Sequence, residues 1–192
     1  MQKSNVFGCK FSLYPMDSGF VPIILGALEQ TYTTKVFSKS DAISTVYRGK
    51  LSYVSDAIRG LFVAAYQPEI HMALEGTFSQ GCPWDTDVDS RLDVNGPLPN
   101  LPLSKAKSFP VKCKIALYPM GCYDFLTHIA RAGQFAKEAG LTPEAAHYST
   151  GITGDVHQIF DYLERICSYM NETGLPYALS FTLSVNSPTK NI

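Results

Sequence analysis

Alternating and helical patterns of apolar residues follow one another in a fixed order along the first half of the chain. An alternating strand pattern ends at Tyr14, a helical pattern runs to about Gln30, and two short runs rich in β-branched and aromatic residues indicate a hairpin. Apolar residues at helical spacing then begin at Leu51 and stop before Pro68, and Met72–Ser79 alternates again. The first half is therefore predicted to have the order β-α-β-β-α-β.

The second half repeats these patterns at a nearly constant offset. The phrase Leu-Tyr-Pro-Met stands at residues 13–16 and again at 117–120, an offset of 104, and one inserted residue then brings the offset to 105. Identical pairs at this offset are Phe20/Phe125, Ile24/Ile129, Ser44/Ser149, Thr45/Thr150, Gly49/Gly154, Thr77/Thr182 and Ser79/Ser184. We expect an α+β protein with two ferredoxin-like repeats and antiparallel sheets, at residues 1–83 and 110–192, joined by a proline-rich linker over residues 84–109.

The amino-acid composition limits the cellular location and the binding partners that can be expected. The 192 residues carry 16 basic and 17 acidic side chains without a long run of either sign, so nucleic acid is not an expected partner. No stretch approaches the ~18 apolar residues that a membrane span needs, and the N-terminal residues do not resemble a signal peptide. The five cysteines form no Cys-x-x-Cys pair. A cytoplasmic protein without membrane insertion is predicted.

Few residues suggest catalysis or metal binding. The four histidines are scattered, and none stands with Asp, Glu or Cys at ligand spacing, so no metal site is predicted. No nucleophile and base can be paired from the order of residues, and no enzyme activity is expected. The polar residues that do repeat are neutral: Ser44–Thr45 with Ser149–Thr150, Thr77 and Ser79 with Thr182 and Ser184, and the tyrosine and methionine of each phrase. They are either strand-surface residues or the hydroxyl groups of a pocket for a flat, neutral heterocycle.

Several stretches are specific in combination: Phe11–Met16, Ile43–Gly49, Gly76–Pro83, Ala116–Met120, His147–Ser149 with Gly154–Asp155, and Asn186–Pro188. Together they resemble the YkoF family of thiamin/hydroxymethylpyrimidine-binding proteins. The resemblance implies tandem ferredoxin-like (ACT-like) repeats, a homodimer, and binding of thiamin or hydroxymethylpyrimidine in each repeat without turnover. It also implies a link to uptake of the pyrimidine, with a transporter as a functional partner and no cofactor besides the ligand.

The ligand is predicted to lie near the third strand of each repeat and the start of the following helix. The candidate binding residues are Tyr14, Met16, Ser44, Thr45, Arg48 and Ser79 in the first repeat, and Tyr118, Met120, Tyr148, Ser149, Thr150 and Ser184 in the second. Arg48 has Thr153 as its counterpart, so the two pockets are expected to differ by one charge and to bind cationic thiamin unequally.

Two alternatives remain open. One is an enzyme of thiamin or pyrimidine salvage, for which His147, Asp155 and Arg48 are the candidate acid or base groups. The other is an ACT-like regulatory module that binds an amino acid. Under each of these hypotheses the sheet should have one face without helices, and we expect that face to be too apolar to remain in water, which also favours a homodimer.

Overall fold

The computed structural model of the protein describes residues 6–81 and 91–189. Its elements are β1 (Phe7–Pro15), α1 (Phe20–Gln30), β2 (Phe37–Ser40), β3 (Thr45–Gly49), α2 (Leu51–Ala65), β4 (Met72–Gln80), α3 (Leu101–Lys105), β5 (Pro110–Pro119), α4 (Phe125–Glu138), β6 (Glu144–Ala146), β7 (Ser149–Asp155), α5 (Val156–Thr173) and β8 (Tyr177–Val185). Apart from α3, the order is β-α-β-β-α-β twice, which confirms the predicted α+β fold of two ferredoxin-like repeats.

The two repeats share one antiparallel sheet of eight strands in the order β2-β3-β1-β4-β8-β5-β7-β6. They meet where β4 pairs with β8, in a register that places Met72 opposite Val185 and Phe78 opposite Leu179. In an isolated repeat each of these strands would be a long exposed edge. Their pairing gives hydrogen-bond partners to the backbone N–H and C=O groups of both edges. The edges that remain are β2 and β6, of four and three residues, and short edge strands limit unwanted pairing.

A glycine makes the pairing of β4 with β8 possible. Gly76 of β4 lies opposite Phe181 of β8, its own counterpart at the repeat offset. A Cβ atom on residue 76 would lie 2.8 Å from the Phe181 ring, whereas the glycine leaves room for that ring to stack on Phe78 at a centroid distance of 4.7 Å. The duplication therefore departs from symmetry where its two copies touch, because two large side chains would not fit.

The helices cover one face of the sheet and enclose a continuous core. Strand alternation directs Phe7, Cys9 and Phe11 of β1 to this side, and α2 and α5 join the two repeats through Phe62 and Phe160, whose rings are 6.1 Å apart. None of the helices within residues 6–81 and 91–189 is both long and apolar enough to cross a membrane.

The other face of the sheet is polar, so the expectation of an apolar face is wrong. This uncovered face carries Lys10 of β1, Glu75 and Thr77 of β4, Thr182 of β8 and Lys114 of β5. Strong period-two alternation is the reason: it sends the apolar residues of each strand to the helices and leaves hydroxyl and charged groups on the opposite side.

The described part of the predicted linker is packed against the first repeat. Asn100 is fully buried, and its side chain donates to Asp56 Oδ2 and to the Tyr32 carbonyl and accepts from the Tyr32 N–H, at 2.7–2.9 Å. The helix α3 follows it directly, which the proline content of this region did not predict. The predicted domain boundary at residues 83 and 84 lies outside the described residues.

Candidate functional site

A cavity of about 370 Å³ lies in the second repeat between β5, α4 and the β6–β7 hairpin. Its lining residues are Ile115, Ala116, Leu117, Tyr118 and Pro119 of β5, Phe125, Ile129 and Ala132 of α4, and Tyr148, Ser149 and Thr150 of the hairpin. Cavities of this size hold small ligands. Of the five binding residues predicted at this end of the second repeat, Tyr118, Tyr148, Ser149 and Thr150 line the cavity, whereas Met120 lies beyond the strand end.

The strands position the lining side chains through their alternation. Ile115 and Leu117 are directed towards α4, and Thr150 pairs with Ile115 and shares its side of the sheet. Tyr118 leaves the opposite side of β5, so Leu117, rather than Tyr118, is the strand residue that faces the helix. Pro119 ends the strand, and the next N–H, of Met120, donates to the Pro176 carbonyl at 2.8 Å.

The hairpin holds Tyr148 at the cavity in an unusual backbone conformation. Ala146 and Ser149 are paired across a two-residue loop, and Tyr148 has φ +63°, in the left-handed region that favours glycine or asparagine. Its side chain is almost fully exposed. An aromatic residue in this backbone conformation costs about 1 kcal/mol of turn stability.

We expect Tyr148→Asn to act in opposite directions on stability and on binding. Asparagine tolerates the left-handed conformation, so the free energy of unfolding should rise by up to about 1 kcal/mol. Loss of the ring should weaken, several-fold, the thiamin binding that the sequence resemblance leads us to expect. Chemical denaturation and calorimetric titration measure the two effects, and His147→Asn in the same turn is the matched control. Unchanged thiamin affinity in Tyr148→Asn would contradict a binding role for Tyr148.

The cavity is neutral and offers hydroxyl groups with free hydrogen-bonding capacity. None of its lining residues, all of them within the described part of the chain, carries a charged side chain. Among residues 6–81 and 91–189, the hydroxyl groups of Tyr118 and Thr150 have no hydrogen-bond partner, and Ser149 makes one long contact, 3.5 Å, to the His147 carbonyl. A hydroxyl both donates and accepts, so this wall suits a flat ligand whose ring nitrogens accept and whose amino group donates.

In the first repeat two hydroxyl groups of the matching region are already bonded to the protein. Ser12, in place of Ala116, donates to the Ile43 carbonyl at 3.0 Å, and Thr45 shares a 2.8 Å hydrogen bond with Ser40. Asp41 Oδ1 accepts from the N–H groups of Ile43 and Ser44 at 2.8 and 2.9 Å, and these two bonds hold its pKa below the ordinary value. A ligand in this repeat would have to displace some of these bonds.

The wall of the first repeat also contains an unsatisfied buried hydroxyl. Phe11 stands in place of Ile115 and packs edge-on against Tyr47 at 4.9 Å. Tyr47 is fully buried, and within the described residues its hydroxyl has no hydrogen-bond partner. Burial raises the pKa of Tyr47 to about 12, so the hydroxyl keeps its proton and remains a donor. Its counterpart, Ile152, offers no such group.

The remaining candidate residues do not line the cavity. Arg48 pairs with Gly8 on the uncovered face, opposite in direction to Thr45, so the predicted charge difference with Thr153 does not lie at the pocket. Tyr14, Ser79 and Ser184 also stand on that face. Their partners are as follows: Tyr14 donates to Glu75 at 3.0 Å, Ser79 to the Tyr177 carbonyl at 2.8 Å, and Ser184 is 3.2 Å from His71 Nε2. Met16 is half-exposed at the end of β1.

The helix residues of the cavity were not among the predicted binding residues. Phe125, Ile129 and Ala132 form the α4 side of the wall. Each has an identical counterpart at the repeat offset, in Phe20, Ile24 and Ala27. The signal was therefore present in the sequence as repeated identity along one helix face, but the same spacing is also that of ordinary core residues.

The three candidate acid or base groups lie in different parts of the structure. His147 is exposed in the hairpin turn, Arg48 is on the uncovered face, and Asp155 is at the far end of β7. Asp155 caps α5, because its side chain accepts from the His157 N–H at 2.8 Å while Gln158 accepts from the Asp155 N–H. It has a structural role at that helix end.

The matches to known proteins include a protein family, a curated protein and a solved structure. The model of the YKOF-related family matches residues 6–85 and 110–190. A protein of Bacillus subtilis (strain 168), named "Putative HMP/thiamine-binding protein YkoF", is 36% identical over 187 residues, which cover 97% of this chain and 94% of that protein. A solved structure from Thermotoga maritima, titled as a "putative thiamine biosynthesis/salvage protein", is 20% identical, with a TM-score of 0.38, over 44% of this chain and 91% of that chain.

Proposed function

Because the chain belongs to the YkoF-related family, we propose that it binds thiamin or its hydroxymethylpyrimidine moiety without chemical turnover, at one site in each repeat. The observation that supports this most directly is the neutral cavity of the second repeat, with Thr150 and Ser149 on its wall at the positions where Thr45 and Ser44 stand in the first repeat.

The chemistry of the wall fits the two parts of thiamin. The aminopyrimidine is flat and neutral and needs both donors and acceptors, which the Thr150 and Ser149 hydroxyls supply while Phe125 and Ile129 provide apolar contact. The thiazolium is a cation without N–H donors. The exposed ring of Tyr148 offers it a cation–π contact that requires no carboxylate.

We assign the tighter site to the second repeat. Its hydroxyls at Tyr118 and Thr150 are free of protein partners among the described residues, whereas those of Ser12 and Thr45 in the first repeat are bonded. A ligand of the first repeat loses part of its hydrogen-bond energy in displacing those bonds. The difference in free hydroxyl groups, rather than the charge of Arg48, is therefore the expected cause of unequal affinity.

Calorimetric titration with thiamin, hydroxymethylpyrimidine and a panel of amino acids tests the proposal. We expect heat from the first two and none from amino acids, because the wall has no charged partner for an α-carboxylate or an α-amino group. Recovery of unchanged thiamin after long incubation separates binding from salvage catalysis. Consumption of thiamin, or binding of amino acids alone, would overturn the proposal in favour of one of the alternatives.

We further propose a homodimer formed through the uncovered face of the sheet. Lys10, Lys114 and Glu75 on this face would pair across a twofold axis, with hydroxyl groups such as Thr77 and Thr182 between them. Sedimentation velocity at micromolar concentration should show a dimer, and Thr77→Arg with Thr182→Arg should convert it to a monomer by like-charge repulsion. A wild-type monomer would contradict this interface.

We place the protein in the cytoplasm, where it would receive the pyrimidine that a transporter delivers. The four cysteines among the described residues, Cys9, Cys113, Cys122 and Cys167, are unpaired, which supports a reducing compartment.

A further inference from the structure

A cysteine, an aspartate and a histidine converge at the start of α4, in the second repeat. One ligating atom each from Cys122, Asp124 and His128 lies within 4.8 Å of the others. Within residues 6–81 and 91–189 this is the one trio of Cys, His, Asp or Glu side chains so arranged. The spacing Cys-x-Asp-x-x-x-His concealed it, because Asp124 and His128 share a helix face at four residues apart while only the turn brings Cys122 to them.

His128 is oriented as metal-binding histidines are. Its Nδ1 is 2.8 Å from the Tyr169 hydroxyl, and its Nε2 is 3.9 Å from Asp124 Oδ1. When Nδ1 carries the proton and donates it to the Tyr169 oxygen, the lone pair is on Nε2, on the side of Asp124. A hydrogen bond to the second ring nitrogen is the usual support of a ligating histidine, since it fixes both the tautomer and the ring. Burial of the ring holds this geometry further.

Asp124 does not perform the structural role that its position suggests. It is the N-cap residue of α4, yet its side chain accepts no capping hydrogen bond. By contrast, Asp155 caps α5 with a complete capping box. Asp124 instead faces His128, which leaves its carboxylate available to an ion.

The first repeat does not contain this trio. At the repeat offset, Cys122, Asp124 and His128 correspond to Asp17, Gly19 and Ile23. The equivalent turn and helix start therefore form without a thiol or an imidazole, so the general fold of this turn does not require the cluster.

We propose that Cys122, Asp124 and His128 bind a divalent transition-metal ion of the zinc type, with three protein ligands and a fourth position open to water. A thiolate, an imidazole and a carboxylate are the ligands of borderline-soft ions, whereas Mg²⁺ and Ca²⁺ prefer oxygen alone. Zinc bond lengths of about 2.0–2.3 Å place ligand atoms roughly 3–4 Å apart. Asp124 is two-thirds exposed and Cys122 is half-buried, so side-chain rotation closes the remaining gap.

The ion would act on the helix that forms the cavity wall. Phe125 and Ile129, which line the cavity, directly follow Asp124 and His128 in the chain. A bound ion would join the turn after β5 to the first turn of α4 and fix the orientation of that wall. This ion site does not depend on which ligand the cavity binds.

Titration of the full-length, reduced protein with Co²⁺ alone tests the site. We expect one Co²⁺ per chain, with a thiolate-to-metal charge-transfer absorption band and the d–d spectrum of four-coordinate Co²⁺. Cys122→Ser should abolish the charge-transfer band. In competition titrations Cys122→Ser and His128→Gln should each weaken Zn²⁺ binding by more than about 100-fold, and Tyr169→Phe by about 10–100-fold.

His157→Gln is the matched control, since this histidine contacts the Lys107 carbonyl at 3.0 Å and takes no part in the cluster. It should leave the spectrum and the Zn²⁺ affinity unchanged. Near-UV circular dichroism and thermal unfolding of the apo variants confirm that each is folded, and the half-exposed position of Cys122 makes the serine variant the least disruptive. Absence of Co²⁺ binding in the wild type, or a charge-transfer band that survives in Cys122→Ser, would overturn the proposal.

Discussion

Replacing Ser149 and Thr150 together with alanine should remove the tighter thiamin site and leave the weaker one. Each buried hydrogen bond that is lost costs about 1–3 kcal/mol, so the affinity of the second repeat should fall by roughly 5–150-fold per bond. The structure makes Thr150 the main contributor, because it pairs with Ile115 on the helix side of the sheet. Calorimetric titration should then show a single class of weak sites.

The equivalent change in the first repeat is the internal comparison. Ser44→Ala with Thr45→Ala should leave the tight site unchanged and alter only the weak one. Ser184→Ala is the second control, since this hydroxyl lies on the uncovered face beside His71. If both double variants keep two thiamin sites of unaltered affinity, the repeated hydroxyls are strand-surface residues. A loss of the tight site on Ser184→Ala would place the pocket on the uncovered face instead.

Replacing Asn100 with leucine should destabilise the fold by about 3–5 kcal/mol. The change removes the partners of the Tyr32 N–H and C=O groups and one of the hydrogen bonds to the buried carboxyl group of Asp56. Unsatisfied buried groups cost about 1–3 kcal/mol each, and more when one is charged. Urea denaturation measures the loss, with Gln134→Ala, at an exposed position of α4, as a control expected to stay within about 0.5 kcal/mol. A loss below about 1 kcal/mol would show that the linker contact is dispensable.

The pH dependence of this variant provides a separate check. Burial raises the pKa of Asp56, and the hydrogen bonds from Asn100 oppose that rise. A carboxyl group with a raised folded-state pKa contributes most to stability below its unfolded pKa and loses that contribution as pH rises through the folded pKa. Because Asn100→Leu removes one opposing bond, the difference in unfolding free energy from wild type should be larger at neutral pH than in mild acid. A difference that does not vary with pH would exclude Asp56 as its source.

Local periodicity in the sequence determined the repeat, the order of elements and most of their bounds. Alternation over Met72–Ser79 and helical spacing from Leu51 each arise within a single element, and the observed β4 and α2 match them closely. The predicted β2–β3 hairpin also forms, and the Asp41 side chain bonds the loop N–H groups of Ile43 and Ser44, so that β3 begins at Thr45. Repeated identity also pointed to Thr150, because its partner Thr45 stood at the same offset.

The alternation of side chains along a strand could have corrected one of the predicted binding residues from the sequence alone. Thr45 and Arg48 are three positions apart in one strand, so alternation alone puts them on opposite faces. The prediction grouped these two residues in one pocket because they are close in sequence, and it did not consider which face of the strand each side chain occupies. The same alternation indicates that the face without helices is polar.

Only the tertiary structure decided how the two repeats join and which polar groups remain available. Pairing of β4 with β8 depends on the fit between Gly76 and Phe181, residues 105 positions apart. Whether a hydroxyl is free, as in Thr150, or bonded, as in Thr45, depends on neighbours brought in by the hairpin. The convergence of Cys122 on His128 likewise requires the turn after β5 to fold back on α4. These are contacts between elements, and no periodicity within one element encodes them.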